Sequence, residues 1–392
     1  MTRPGLLFYC QHSLGLGHLV RSFALAAALA ERFRVVVACG GELPDGLEPP
    51  GEVDLVALPP LRASRDGRLV SREDGSLERA RRRRGTLLLE TFRTLRPKVV
   101  VIELFPFGRR KFADELVPLL EEALAAVPRP LVVSSVRDIL VGREPDQRAH
   151  DTLSCVLADR YLDAVLVHSD PCFARLEESF RPSIPLRVPV RHTGFVVPEE
   201  PPRRAPATGP RVLVSAGGGL AGEPLLRAAV AARPLLPDDV LLQVVAGPFL
   251  PDEAWTSLQD AARGVPGLAL HRFLPDLGGE LRGASASISQ CGYNTALDLV
   301  RARVPALVVP FAEAREDEQT RRARRLERLG AVRVLEAERL DPPTLALEIH
   351  DLLRFRPRPV SLDVDGARAS TALLDRLARG ALPLPSLESA AR

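Results

Sequence analysis

Lysine is nearly missing from this 392-residue chain: of 53 basic residues only Lys98 and Lys111 are lysines. We read that as the codon bias of a GC-rich genome, with no functional content. Excess charge of either sign is missing too. The formal net charge is +3, so no basic field marks the chain for nucleic acid. Cysteine is sparse, and Cys10, Cys39, Cys155, Cys172 and Cys291 are odd in number, scattered and never spaced as CxxC. That argues against a disulfide framework or a zinc site and fits a reducing compartment. Long apolar runs are also lacking. Leu6–Cys10 is too short for a signal peptide, and nothing approaches the roughly 20 apolar residues of a membrane span. The expectation is a soluble cytoplasmic protein, with peripheral contact at the inner membrane face left open.

What the chain does have is alternation. Strand-length apolar runs (Gly5–Gln11, Arg34–Ala38, Val53–Ala57, Val99–Glu103, Leu131–Ser135, Ala164–His168) are separated by helix-period segments such as Leu19–Glu31 and Phe112–Ala126. The stretch 196–210, with Pro198, Pro201, Pro202, Pro206 and Pro210, is too stiff and polar to join a core and reads as a linker. Beyond it the alternation restarts with strands over Arg211–Ser215, Val240–Ala246, Ala269–Phe273, Ala284–Ser289 and Ala306–Pro310. Helices are expected over Pro224–Arg233, Glu253–Arg263 and Thr295–Ala302. The pattern predicts an α/β protein of two Rossmann-like, doubly wound domains. They would span 1–195 and 211–368, with a C-terminal helix and tail over 369–392 that packs back on the first domain.

Three turns between strand and helix carry chemistry. In His12-Ser13-Leu14-Gly15-Leu16-Gly17-His18, Gly15 and Gly17 let backbone approach a ligand at a helix start that favours anions. The pattern is GxGH rather than GxGxxG, and no acidic residue ends the second strand, which weakens a dinucleotide reading. His18 fits a general base or a plain histidine at a helix start. The second turn, Ser215-Ala216-Gly217-Gly218-Gly219, suits backbone contact with a diphosphate or a merely flexible loop. The third is the most detailed: a strand runs into Gln290-Cys291-Gly292-Tyr293-Asn294-Thr295, and Asp298 follows inside the helix. A second strand ends at Pro310 and leads to a charged loop with Glu318 and Gln319. Ligands of open α/β sheets bind beyond the carboxyl ends of strands, and there a carboxylate accepts both hydroxyls of a ribose. Asp298 fits that role or simple balance of a helix N-terminus.

This third segment resembles the donor-binding region of GT-B glycosyltransferases of family 28, the MurG-like family, and most of all a bacterial branch carrying GYNT and an acidic-Gln-x-x-Arg-Ala loop. The resemblance implies a GT-B fold, two domains facing a central cleft, with donor on the C-terminal domain and acceptor on the N-terminal one. It also implies an inverting, metal-independent transfer with UDP as the favoured nucleotide, for example UDP-N-acetylhexosamine, and no cofactor. By position, Asp298 matches the ribose-binding acid, Gln319 a donor-sugar contact, Gly217–Gly219 the diphosphate loop and His18 the active-site histidine. Asp298 is shorter than the glutamate common in the family, and the first turn has fewer glycines. The acceptor is therefore left unassigned among glycan, lipid-linked and small-molecule hydroxyls.

Other signals carry less. Asp363-Val364-Asp365 spells DxD, but it follows Pro357 and Pro359 near the chain end, so it reads as incidental. The arginines within Arg79–Arg84 read as a solvated helix face. Glu103 ends a strand and is an alternative base. Phe105 and Arg109 after it, with Arg137 and Asp138 at the next strand end, are candidates for the acceptor edge or for a packed loop and an internal ion pair. The expected enzyme is a hexosyltransferase. A nucleotide-sugar hydrolase on the same fold and a silent nucleotide-binding partner subunit are the alternatives.

Overall fold

A computed structural model describes residues 3–12, 16–44, 46–63, 69–71, 76–142, 145–200, 209–219, 222–311 and 317–380. Gly15 and residues 201–208 of the linker lie outside them. The described residues form two compact units. The first takes 3–12, 18–198 and 362–380; the second takes 16–17 and 199–361.

In the first unit β1 (Gly5–Cys10), β2 (Arg34–Cys39) and β3 (Val53–Ala57) alternate with α1 (Gly17–Ala30). A small antiparallel pair, β4 (Leu61–Ala63) and β5 (Leu69–Ser71), precedes α2 (Leu77–Leu95). The chain continues through β6 (Val99–Glu103), α3 (Ala113–Ala125), β7 (Leu131–Arg137), α4 (Gln147–Tyr161), β8 (Ala164–His168) and β9 (Val190–His192). The main sheet is parallel, in the order β3-β2-β1-β6-β7-β8-β9. Its central strands β6 and β8 are buried along their whole length. This explains why they read as unbroken apolar runs rather than alternating ones.

The arginine cluster of α2 is not a uniform solvated face. Arg79, Arg82 and Arg83 are exposed, but Arg84 is fully buried. It sits in the inward stripe Ala80, Arg84, Leu88, Phe92, spaced four apart. Its guanidinium donates to both oxygens of the buried Glu115 (2.7 and 2.6 Å), to Gln11 Oε1 (2.6 Å) and to the carbonyls of Gly40 and Pro59. Tyr9 also donates to Glu115 at 2.5 Å. This ion pair fastens α2 and α3 to the carboxyl end of β1.

The second unit contains β10 (Arg211–Ser215), α5 (Glu223–Ala232), β11 (Leu241–Val245), α6 (Asp252–Ala262), β12 (Leu268–His271) and α7 (Leu277–Arg282). After these come β13 (Ala286–Ser289), α8 (Tyr293–Ala302), β14 (Ala306–Val308), α9 (Glu318–Arg328), β15 (Arg333–Val334) and α10 (Pro342–Leu352). Its sheet is parallel, ordered β12-β11-β10-β13-β14-β15. The charged loop expected around Glu318 and Gln319 is instead the first turn of α9. Its inward positions are Glu318, Arg322, Ala323 and Leu326, a helical spacing in which half of the buried stripe is charged. With only Ala323 and Leu326 apolar in that stripe, the stretch has too little apolar content to stand out as a core-facing helix.

The last helix among the described residues is α11 (Gly366–Ala378), on the first unit. Asp363 and Asp365 serve that docking. The Phe195 amide donates to the Asp363 carbonyl (2.7 Å), Val196 bridges to Asp365, and the Asp363 amide donates to Asp170 Oδ2 (3.1 Å). No helix among the described residues is long and apolar enough to cross a membrane.

Glu115→Ala leaves the Arg84 guanidinium buried without its counter-charge. The expected loss of stability is about 3–5 kcal/mol, to be read by equilibrium urea unfolding; a loss under about 1 kcal/mol would show that Arg84 is solvated or re-paired.

Candidate functional site

Each sheet reverses its winding once, between β1 and β6 in the first unit and between β10 and β13 in the second. Crevices for ligands open at such points, outside the carboxyl ends of the strands. The three turns picked out from sequence fall there: Gly17 and His18 after β1, Gly217–Gly219 after β10, and Gln290–Thr295 after β13.

At the β1/β6 point the centre is Glu103, the last residue of β6, with no exposed surface. His18 Nδ1 lies 2.5 Å from Glu103 Oε1, and Arg21 donates to the same oxygen at 2.7 Å. Arg109 Nε stands 3.5 Å from Oε2. Burial by itself would raise the Glu103 carboxyl. The His18 ring and the Arg109 and Arg21 guanidinium groups outweigh it and hold the carboxyl far below its usual range. Burial pushes His18 down to about 3, with Arg109 and Arg137 adding to the shift and Glu103 opposing it. The pair is therefore carboxylate and neutral imidazole. An ionised carboxylate only accepts, so Nδ1 carries the proton, and the lone pair sits on Nε2.

This geometry revises the sequence assignments. Glu103 is sealed behind His18 and cannot reach a substrate itself; it orients the histidine. Arg21, missed in the sequence, is 2% exposed and neutralises Glu103. Its signal was an arginine three residues after His18 in an otherwise apolar helix. Phe105, a candidate acceptor contact, lies in the core at 1% exposure, and Phe107 packs edge-on to Phe180. The segment after β6 is thus a packed loop. Leu104 and Arg109 both take left-handed backbone, at φ 65° and 57°, a strain of about 1–3 kcal/mol each for non-glycine residues. The loop is held in that form by its buried phenylalanines, and it delivers Arg109 to Glu103. At the end of β7 Arg137 is partly exposed and Asp138 fully buried.

At the β10/β13 point the glycines divide into two kinds. Gly219 has φ 93°, and a Cβ there would stand 2.7 Å from the Ala246 carbonyl; its amide already donates to Ala216. Gly219 is required by packing against the 246–250 turn, and its amide is spent. At Gly217 and Gly292 an added Cβ would meet nothing within 4 Å. Gly292 has ordinary extended backbone and caps α8, so neither strain nor crowding demands glycine there. The missing side chain keeps the α8 N-terminus open. Ser215, Cys291 and Tyr293 are buried, whereas Gly218, Gln290, Asn294 and Thr295 keep partial exposure.

Gln319 braces the site. Its Oε1 accepts from the backbone amides of Cys291 (3.0 Å) and Phe311 (3.2 Å), joining the segments that leave β13 and β14. Its Nε2 is the end left to offer a ligand. Glu318, expected beside it as a donor contact, is turned inward and pairs with Arg322 at 3.1 Å. Asp298, on α8, is enclosed by protein although part of the residue still touches solvent. Enclosure raises its carboxyl to about 7, against the pull of Arg301 and Arg282. Among the described residues no three His, Cys, Asp or Glu side chains cluster as metal ligands would.

Residues 214–369 match the glycosyltransferase family 28 C-terminal domain, from within β10 to the start of α11. Over 196 residues the chain is 28% identical to the UDP-N-acetylglucosamine–N-acetylmuramyl-(pentapeptide) pyrophosphoryl-undecaprenol N-acetylglucosamine transferase of Methylorubrum extorquens, covering 48% of this chain and 52% of that protein. The chain thus spans about half the length of that curated relative. Among solved structures it is similar to the calicheamicin glycosyltransferase CalG4 (TM-score 0.57, 18% identity, 100% of this chain and 97% of that one). It is also similar to MurG of Acinetobacter baumannii (TM-score 0.54, 14% identity, 96% and 100%). The fold is that of the GT-B glycosyltransferases.

The electrostatics of the first site predict a histidine that does not titrate near neutrality. Between pH 5 and 8, nitrogen-detected NMR should show His18 as one neutral tautomer with the proton on Nδ1; a protonation midpoint in that window would show that the Glu103 carboxylate outweighs burial at His18.

Proposed function

We propose that the protein is a glycosyltransferase moving a sugar from a nucleotide-sugar donor to an acceptor hydroxyl on a glycan, lipid-linked or small-molecule substrate. The donor we favour is a UDP-sugar such as UDP-N-acetylhexosamine. The observation that carries this is the pairing of His18 with the buried Glu103 at 2.5 Å, in a chain whose other unit matches a family 28 C-terminal domain.

The division of labour follows from the two switch points. The second unit holds the nucleotide: Asp298 accepts from the ribose hydroxyls, and the open α8 N-terminus with Gly217 and Gly218 faces the diphosphate. Gln319 offers Nε2 to the sugar. The first unit holds the acceptor, and His18 Nε2 takes the proton from its hydroxyl. The freed oxygen attacks the anomeric carbon from the side opposite the diphosphate, so the configuration inverts. The bond from that carbon to the leaving oxygen breaks, with its electrons going to the nucleoside diphosphate. Imidazolium forming at His18 is stabilised by the carboxylate behind it, which raises its basicity when the proton arrives. Backbone dipoles take the developing charge of the diphosphate, and no divalent metal is required.

His18→Ala is expected to lower the turnover number by about 10²–10⁴, with UDP affinity in calorimetric titration unchanged. Near-normal turnover would remove His18 from the mechanism. Glu103→Gln should also lower turnover without changing UDP affinity.

Asp298→Ala should weaken UDP binding by about 1–3 kcal/mol, and an unchanged affinity in the folded variant would reduce Asp298 to a structural residue of α8. Turnover should persist in excess EDTA; loss that Mg²⁺ or Mn²⁺ restores would overturn the metal-free mechanism.

A further inference from the structure

Asp298 does not stand alone on α8. Arg301 follows it by three residues on the same helix and is 18% exposed. Arg282 ends α7, the helix packed beside α8, and is 13% exposed. Glu200, from the segment that enters the second unit, lies between the two cations: its carboxylate is 3.3 Å from Arg301 Nε and 3.6 Å from Arg282 Nη1. The Nε and Nη2 atoms of Arg282 are buried and, among the described residues, have no hydrogen-bond partner. α9 also packs against α8, and its Glu318 and Arg322 pair with each other. The charges that face Asp298 are therefore Arg301 and Arg282, and Glu200 competes for both.

We infer that Arg282, Arg301 and Glu200 are a positioning set for nucleotide capture: the two arginines favour the charged Asp298 carboxylate that meets the ribose, and Glu200 holds that pull in check. The inference rests on the assignment of Asp298 to the ribose under Proposed function. Its physical basis is competition between charges at short range. A carboxylate enclosed by protein is protonated unless cations compensate, and a protonated carboxyl offers the ribose hydroxyls a weaker acceptor. Buried guanidinium donors without partners are costly, so Arg282 gains when a neighbouring carboxylate carries its full charge. Glu200 is 54% exposed, which makes its own pairs weak in water. Its effect on the shared arginines, not the strength of its salt bridges, is what counts.

With burial raising Asp298 to about 7, the sign is definite. Ionised Asp298 is lost as pH falls through 7, and UDP should bind about tenfold more weakly at pH 6 than at pH 8. Removing a cation moves the midpoint up, and removing Glu200 moves it down.

The experiment titrates the Asp298 carboxyl by ¹³C NMR in the nucleotide-free protein, assigned by its loss in Asp298→Asn, and measures UDP affinity by calorimetry from pH 5.5 to 8.5. Wild type, Arg282→Gln and Glu200→Gln are compared. The expected result is a carboxyl midpoint higher in Arg282→Gln and lower in Glu200→Gln, with the pH dependence of UDP affinity following each. General destabilisation cannot move the two variants in opposite directions, and the exposed Glu200 keeps the test valid if Arg282→Gln folds poorly. Unmoved midpoints, or a shift of the same sign in both variants, would overturn the charge set. Midpoints that move while UDP affinity stays flat with pH would overturn its role in capture. Failure of UDP to bind at any pH, with the midpoints still moving apart, would instead sink the assignment of the second unit as the nucleotide domain.

Discussion

Ionising a carboxyl group away from water costs several kcal/mol unless cations and donors surround it, and Glu103 meets that demand with three partners. His18 and Arg21 share one oxygen, and Arg109 approaches the other. Each partner comes from an element that must be placed correctly for the pairing to exist. His18 and Arg21 lie one turn apart on α1, so the helix has to leave β1 at the angle that turns both inward. Arg109 comes from the loop after β6, which is held in left-handed backbone at Leu104 and Arg109 by phenylalanines sunk in the core. The site and the fold of the first unit are thus one constraint. The same charge that costs stability when buried gives the histidine a fixed tautomer and a defined basic atom.

The second unit solves a different problem, how to leave backbone open beside a packed sheet. Its glycine-rich turn after β10 is tied down at Gly219, where the 246–250 turn presses on it, and is left uncrowded at Gly217. Gln319 uses its carbonyl to join the segments leaving β13 and β14, which fixes the entry to α8 without filling it. A ligand-facing edge built in this way is rigid because side chains brace it from behind, while its own surface is bare main chain. Such an edge suits an anionic, phosphate-bearing partner better than an apolar one.

The match to a family 28 C-terminal domain covers 214–369. Across nearly the whole chain the fold is shared with GT-B structures at identities of 14–18%. In the first unit Arg84 and Glu115 form a further buried ion pair. It secures α2 and α3 to β1 and leaves the outer arginines of α2 to solvent.

The sequence by itself determined the parallel α/β class, nearly every strand of both main sheets and the three strand-to-helix turns at the sheets' switch points, because buried parallel strands and glycine-containing turns leave local marks. It also placed His18 at a helix start and Asp298 inside the helix that follows Gly292. It did not reveal α9, whose inward stripe carries Glu318 and Arg322, or the burial of Arg84, because an ion pair hides inside what reads as a polar face. Nor could it show that Glu103 stands behind His18, that Arg21 joins them, that Phe105 is core, or that the Gly219 amide is already spent. Those outcomes depend on pairs far apart in the chain, Glu103 being 85 residues from His18 and Glu115 31 from Arg84. Only the packing of strand ends against helices brings such residues together, and only that packing decides whether a charged side chain meets water or a partner.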